Sequence, residues 1–408
     1  MQVKKLAGIV ALIIAFTGTN AQDPDDLYCR GVASLMKGKY NEAVNFLTSA
    51  IKLEPNNALM YLKRGEAYYQ SGLLDDALND FLETDMLDKN KGSMGLARTY
   101  ARLGNEEKSL FYLREHLNSG YHLKEKDIKK DSAFDKLQYA DGWYVLWQEN
   151  WYTGEEEVES EVDYLLHKEQ YLDALTLLDE KILKSENPHI LYACRAKVYE
   201  ELDNYKGAIA DWDNAITHGG YIQDYYIERG KAYSRLGKYE NAAGDFTKVL
   251  RNDPACFSLY IERANAYAQL KKYSLAIKDV ETYLEYFDND QNAIALCGDL
   301  YYLSGNYIEA LKYYNRNLKL DKSKPEYYKA RGKAYLKTGT YMFAINDLSM
   351  ALDLYPNDGE TYLLKGIALF ESGDIEGACS DWNKARKFGE VKAVEYLLKY
   401  CDQKALSH

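Results

Sequence analysis

The 408-residue sequence lacks the short patterns that mark most enzyme chemistry. His116, His122, His167, His189, His218 and His408 are far apart, and no His-Glu-x2-His or Cys-x2-Cys spacing occurs. No local metal-ligand set is therefore encoded. There is no glycine-rich loop to cradle a phosphate, and the carboxylates are spread along the chain rather than paired. No cofactor is expected, and a catalytic pair could arise only by accident of folding. Basic charge is short as well, because 51 Lys and Arg face 63 Asp and Glu, a net charge of -12. Such a surface repels phosphate backbones, which makes nucleic acid an unsuitable partner. Apolar runs of membrane length are missing too: Leu6 to Phe16 is only eleven residues, where a span needs about 20.

What the first residues do contain is an export pattern. Lys4 and Lys5 precede the apolar run, and Thr19-Asn20-Ala21 puts small residues where a signal peptidase cuts. Residues 1–21 read as a signal peptide, and Cys29 lies too far downstream to carry a lipid anchor. The expected mature chain of 387 residues, its charge taken to -14 by loss of two lysines, has no membrane span. It is periplasmic or envelope-associated, or else secreted. That length exceeds one compact core and suggests several domains or an extended array.

Self-similarity decides between them. Ala174, Ala208, Ala242, Ala276, Ala310, Ala344 and Ala378 recur every 34 residues without a slip. Tyr199, Tyr233, Tyr267, Tyr301 and Tyr335 keep the same interval, as do Tyr171, Tyr205, Tyr239, Tyr273, Tyr307 and Tyr341. Within residues 223–256, Tyr226, Gly230 and Tyr233 share one face of a first helix. Tyr239, Ala242 and Phe246 share one face of a second. Steps of three, four and seven residues are those of amphipathic helices, and Gly237 sits where the chain must turn. Small residues at 230 and 242 let the two helices approach.

The unit Tyr226-x2-Arg229-Gly230-x2-Tyr233, Ala242-x3-Phe246, Pro254 resembles the tetratricopeptide repeat (TPR), whose pattern is a known repeat signature. Units begin at 24, 58 and 90, then at 155, 189, 223, 257, 291, 325 and 359. The units at 90 and 155 lack the Arg-Gly step, and Ser109 stands where Ala is expected. The resemblance implies an all-α fold, a right-handed α-solenoid of about ten helical hairpins. The expected organisation is a three-repeat array over 22–117, an irregular helical connector over 118–154, a seven-repeat array over 155–390, and a capping helix and tail over 391–408.

A charged pair recurs within the unit. Arg64, Arg195, Arg229, Arg263 and Arg331 are followed 16 residues later by Asp80, Asp211, Asp245, Asp279 and Asp347, with Lys365 and Asp381 as a sixth pair. Where the base is missing, at Leu96, Glu161 and Cys297, the acid is missing too. Only Arg30 stands without its acid. This covariation within one chain predicts an ion pair joining the helices of a hairpin, an architectural role.

Two further features lie outside the repeat. Trp143, Trp147 and Trp151 follow at four-residue spacing, one stripe if the segment is helical; it either packs a junction or forms an aromatic recognition surface. After Trp382 the chain turns near Gly389, and the stretch Gly377-Ala378-Cys379, Asp381-Trp382, Lys384-Ala385 and Cys401 resembles the closing segment of other bacterial TPR proteins. Antiparallel helices would bring Cys379 and Cys401 side by side, as a disulfide permitted by export or as two buried thiols.

The resemblance also implies where a partner lies: along the concave surface formed by the first helix of each repeat. Those positions are Lys197, Lys231, Arg235, Asn265, Gln269, Lys329, Lys333 and Lys337. They either form a basic groove for an acidic peptide or belong to a solvated face. Tyr28, Val32 and Leu35 at one end, and Leu363, Ile367 and Phe370 at the other, give apolar ends. The paired Lys and Asn of a carboxylate clamp are not found. The expected function is a non-enzymatic scaffold for a protein or peptide partner. The alternative is an exported glycan- or peptidoglycan-binding module, or a helical enzyme, using the Trp- and Tyr-rich surface.

Overall fold

A computed structural model describes residues 23–401; the signal-peptide assignment, on residues 1–21, lies outside the described residues. The described chain is all-helical and divides into two compact units, one ending at Asn150 and the other beginning at Trp151.

Unit 1 opens with three hairpins: α1 (Pro24–Met36) with α2 (Tyr40–Leu53), α3 (Ala58–Ser71) with α4 (Leu74–Leu87), and α5 (Ser93–Arg102) with α6 (Glu106–Leu117). The third begins three residues later than its unit predicts. Asn90 adopts φ 65°, and Asp85 of α4 accepts from Gly92 N at 2.5 Å and Ser93 Oγ at 3.1 Å, holding the turn open until Ser93. Ser109, the departure from Ala, is fully buried yet satisfied, because its Oγ donates to the Ala97 carbonyl at 2.9 Å. Residues 118–150 of the predicted connector are a folded part of this unit. They hold α7 (Glu125–Lys129), two short 3-10 turns and α8 (Asp141–Leu146), with Ile128, Phe134, Leu137 and Leu146 buried.

Unit 2 stacks seven hairpins. They are α9 (Gly154–His167) with α10 (Tyr171–Ile182), α11 (His189–Glu201) with α12 (Tyr205–Gly219), and α13 (Gln223–Arg235) with α14 (Tyr239–Asn252). Next come α15 (Ser258–Gln269) with α16 (Tyr273–Tyr286), and α17 (Gln291–Leu303) with α18 (Tyr307–Leu320). Last are α19 (Pro325–Lys337) with α20 (Tyr341–Leu354), and α21 (Gly359–Glu371) with α22 (Ile375–Lys387). A short α23 (Lys392–Tyr396) runs into a π-helical turn (Leu397–Cys401). Within each hairpin the two helices pack on each other, and the second packs on the first of the next. A hairpin thus hides its apolar face only by leaning on its neighbours.

The small residues are required by close approach. A Cβ on Gly230 would lie 2.6 Å from the Phe246 ring, which is fully buried between α13 and α14. At the hairpin turn Gly237 takes φ 78°, a conformation that costs other residues about 1–2 kcal/mol. Asp203 and Lys271 occupy the same place in their own units at φ 54° and 57°.

The ion pairs do more than the spacing predicts. Arg229 grips Asp245 through two nitrogens at 2.8 and 2.6 Å, and its third reaches Asp213 of the preceding hairpin at 2.7 Å. Arg195 bridges Asp211 and Asp179 in the same way. Arg64, Arg263 and Arg331 reach back to Thr48, Thr247 and Asn315. Each guanidinium therefore ties three helices, a bidentate and directional grip that Lys365, 3.2 Å from Asp381, does not make. Arg30 turns instead to Asp26 at 2.8 Å. Where Cys297 replaces the arginine, the two residues 16 away on either side, Glu281 and Tyr313, bond each other at 2.9 Å, and Tyr301 joins them at 2.7 Å. A neutral-donor network fills the place of the ion pair.

At the far end Cys379 and Cys401 are joined in a disulfide. It holds the cap so that Tyr396 lies 4.9 Å from Trp382 and Tyr400 4.3 Å from Phe370, ring to ring.

Candidate functional site

The first helices of unit 1 face a groove of about 1410 Å³. Leu62 and Glu66 of α3, then Met94, Arg98 and Arg102 of α5, supply its floor and rim, with Leu35 of α1 at one end. Residues 62 and 66 are the fifth and ninth of the unit at 58; 94, 98 and 102 are the fifth, ninth and thirteenth of the unit at 90. These are the positions that the TPR resemblance assigns to the concave face, and unit 1 was read from its sequence only at Tyr28, Val32 and Leu35. Applying the same ordinals to the units at 58 and 90 would have found them.

The opposite wall comes from the segment after α6. Tyr121, Leu123, Asp127, Lys130 and Asp131 line it. Asp131 accepts from Arg98 Nε at 2.5 Å and also caps the following 3-10 turn through Ala133 N. Tyr121 Oη donates to Asp88 at 2.9 Å, while Lys91 pairs with the same carboxylate at 2.9 Å. Burial opposes ionisation of Asp88, but those two bonds win and hold its carboxyl below the usual range. His116 is buried, and its Nε2 accepts the Leu123 N–H at 3.1 Å. Burial first, then His122 and Arg98, push the imidazole down to about 4. Arg102 donates to the Tyr69 carbonyl at 2.8 Å and lies over that ring. The groove is an apolar floor edged by charges of both signs, suited to holding an extended chain. It carries no nucleophile–base pair.

The eight positions predicted in the second array lie on the first helices α11, α13, α15 and α19, but several are already paired. Lys329 bonds Asp358 at 3.0 Å and Glu360 at 3.1 Å, and Lys333 bonds Glu360 at 2.6 Å. Burial resists ionisation of both acids, yet bonds from Thr361 and Lys329 on Asp358, and from Lys333 and Lys329 on Glu360, lower them. The predicted lysine stripe is thus largely neutralised by the next repeat, because stacking sets the middle of α19 against the start of α21. Lys197 lies 3.5 Å from Glu159 and Lys231 2.8 Å from Glu228. Arg235, Asn265, Gln269 and Lys337 are exposed.

The aromatic stripe forms only in part, with the Trp143 and Trp147 rings 5.5 Å apart, edge to face. Helix α8 ends at Leu146, so Trp147 only caps it and Trp151 lies outside any helix. Trp143 is buried, its ring 5.8 Å from Phe134. Of the predicted apolar ends, Leu35 lines the groove of unit 1, whereas Tyr28 and Val32 are buried, Leu363 is buried in the cap cluster, and Phe370 packs on Trp382 and Tyr400. Among the described residues there is no group of three or more His, Cys, Asp or Glu placed to hold a metal, and no helix is long and apolar enough to cross a membrane.

Comparison with known proteins agrees with the geometry. Family models described as TPR repeat and tetratricopeptide repeat match residues 31–72 and 298–339, and residues 227–294, respectively. The chain is a tetratricopeptide repeat protein. Among solved structures, the C-terminal part of a TPR repeat-containing protein from Cytophaga hutchinsonii superposes with a TM-score of 0.50 at 17% identity, covering 58% of this chain and 98% of that one. A tetratricopeptide repeat protein from Parabacteroides merdae matches with a TM-score of 0.44 at 22% identity, over 60% of this chain and 98% of its own. At such identities the first likeness speaks to the fold alone. TPR proteins in general are interaction scaffolds that bind protein or peptide partners.

Proposed function

We propose that this TPR protein is an exported, envelope-facing scaffold that holds an extended segment of a partner protein in the groove of unit 1 and performs no turnover. The observation that carries this reading is the groove itself. Consecutive first helices present Leu62 and Met94 as its floor, with Glu66, Arg98 and Arg102 along the rim. Export is supported by the basic, apolar and small-residue order of residues 4–21, and the Cys379–Cys401 bridge suits an oxidising compartment. Partner charge follows from the rim: both signs are present, so a mixed rather than purely acidic segment fits.

The test is site-specific photo-crosslinking of the full chain in its native envelope. A photoreactive residue at Met94 should capture a discrete partner, while one at the exposed Met86 of α4 should not. Equal capture from both places would remove the groove from the account.

A further inference from the structure

The third hairpin ends on a buried histidine that the next turn uses as an anchor. His116 is 3% exposed, and the Leu123 amide donates to its Nε2. That bond places the ring proton on Nδ1, so only the neutral imidazole can make it. The intervening turn is tied to the same residue, since Ser119 Oγ donates to the His116 carbonyl at 2.6 Å and accepts from Tyr121 N at 3.1 Å. Further on, Ile128 and Phe134 are fully buried and seat the rest of the segment by apolar packing, which protons do not touch.

We propose that His116 is an acid-released latch on the groove: its protonation breaks the Leu123 anchor and loosens the turn around it while residues 131–137 stay seated. The incoming proton takes the Nε2 lone pair that Leu123 uses, leaving two N–H groups facing each other in a buried space. The charged and titratable groups acting on the ring are Arg98 from α5 and His122 from the turn. Arg98 is cationic, and both it and His122 add to the cost of charging the ring. Among the nearby carboxylates, Asp131 is engaged by Arg98, and Asp88 by Lys91 and Tyr121, while Asp127 and Asp135 also line the groove. Tyr121 and Leu123 line the groove, so release opens it at that end. The consequence for binding rests on the groove reading above, whereas the latch stands whether or not a partner binds there.

The sign follows from linkage. A histidine held neutral by the fold leaves the closed state fully stable above about pH 6.5, and that stability is lost as pH falls toward 4. Hydrogen exchange of the full chain, corrected for intrinsic rates, reads it directly. Between pH 7 and pH 4 the Leu123 amide should lose about 100-fold of its protection, while those of 131–137 keep theirs. His116→Gln supplies a non-titrating acceptor to Leu123 and should abolish the pH response. His116→Ala should leave the Leu123 amide unprotected at both pH values; if that variant does not fold, the wild type and His116→Gln still carry the test. Unchanged protection in the wild type at pH 4, or an equal loss in His116→Gln, would overturn the latch.

Discussion

Unit 1 and unit 2 are built from the same hairpin but are stabilised differently. Unit 2 carries charged ties at Arg195, Arg229, Arg263, Arg331 and Lys365 and ends in a disulfide-bonded aromatic cap. Unit 1 carries such a tie at Arg64, has Leu96 in the next place, and closes with an irregular segment that folds against its groove. The contrast teaches that the stacking principle permits two endings. A disulfide-bonded cap closes one array, and a turn anchored on a buried histidine closes the other beside its groove. Small stacked units gain stability from each neighbour interface, so ties that join three helices matter most where stiffness is the purpose.

Breaking a three-helix tie should have the largest effect. Asp245→Asn leaves Arg229, mostly buried, without its bidentate partner and should cost about 3 kcal/mol, read as a lowered urea midpoint. Asp213→Asn removes only the half-exposed arm and should cost under about 1 kcal/mol. Similar losses from both would mean that the grip across hairpins matters as much as the one within a hairpin. Of comparable size, Cys379→Ala with Cys401→Ala should release the cap at a cost of about 3 kcal/mol in the chain-entropy model, with loss of near-ultraviolet dichroism from Trp382 as the local sign.

Smaller changes sharpen the comparison. Gly230→Ala forces a methyl against Phe246 and should cost about 1–3 kcal/mol, seen as a lower thermal midpoint of unit 2. Lys271→Gly removes a left-handed strain and should add roughly 1 kcal/mol, bringing that turn into line with Gly237.

The hairpins of unit 2 were legible in the sequence because the interval of 34 residues fixes both helix faces at once. The within-chain pairing of Arg and Asp was equally legible, since removal of one partner at Cys297 was matched by removal of the other at Tyr313. The backward arm of each arginine was not, because Thr48, Thr247 and Asn315 share no residue type with Asp179 and Asp213. Lys329 and Lys333 looked like a free basic stripe along one helix, yet the acids that neutralise them, Asp358 and Glu360, lie on another repeat and meet them only through stacking. Trp143, Trp147 and Trp151 keep helical spacing, but α8 ends at Leu146 and leaves Trp151 outside it, a boundary that periodicity does not mark. The groove wall over 121–136 has no repeat to announce it and depends on contacts such as Leu123 to His116 that only the folded chain displays.

The most direct measurement is the affinity of the crosslinked partner segment, as a synthetic peptide, for wild type and for Leu62→Glu with Met94→Glu. Circular dichroism would confirm that both remain helical. Two carboxylates on the apolar floor should weaken binding by more than about tenfold, since each unpaired charge would be desolvated by the bound chain. Undiminished affinity in the double variant would contradict the proposal that unit 1 holds its partner along the first helices of its repeats.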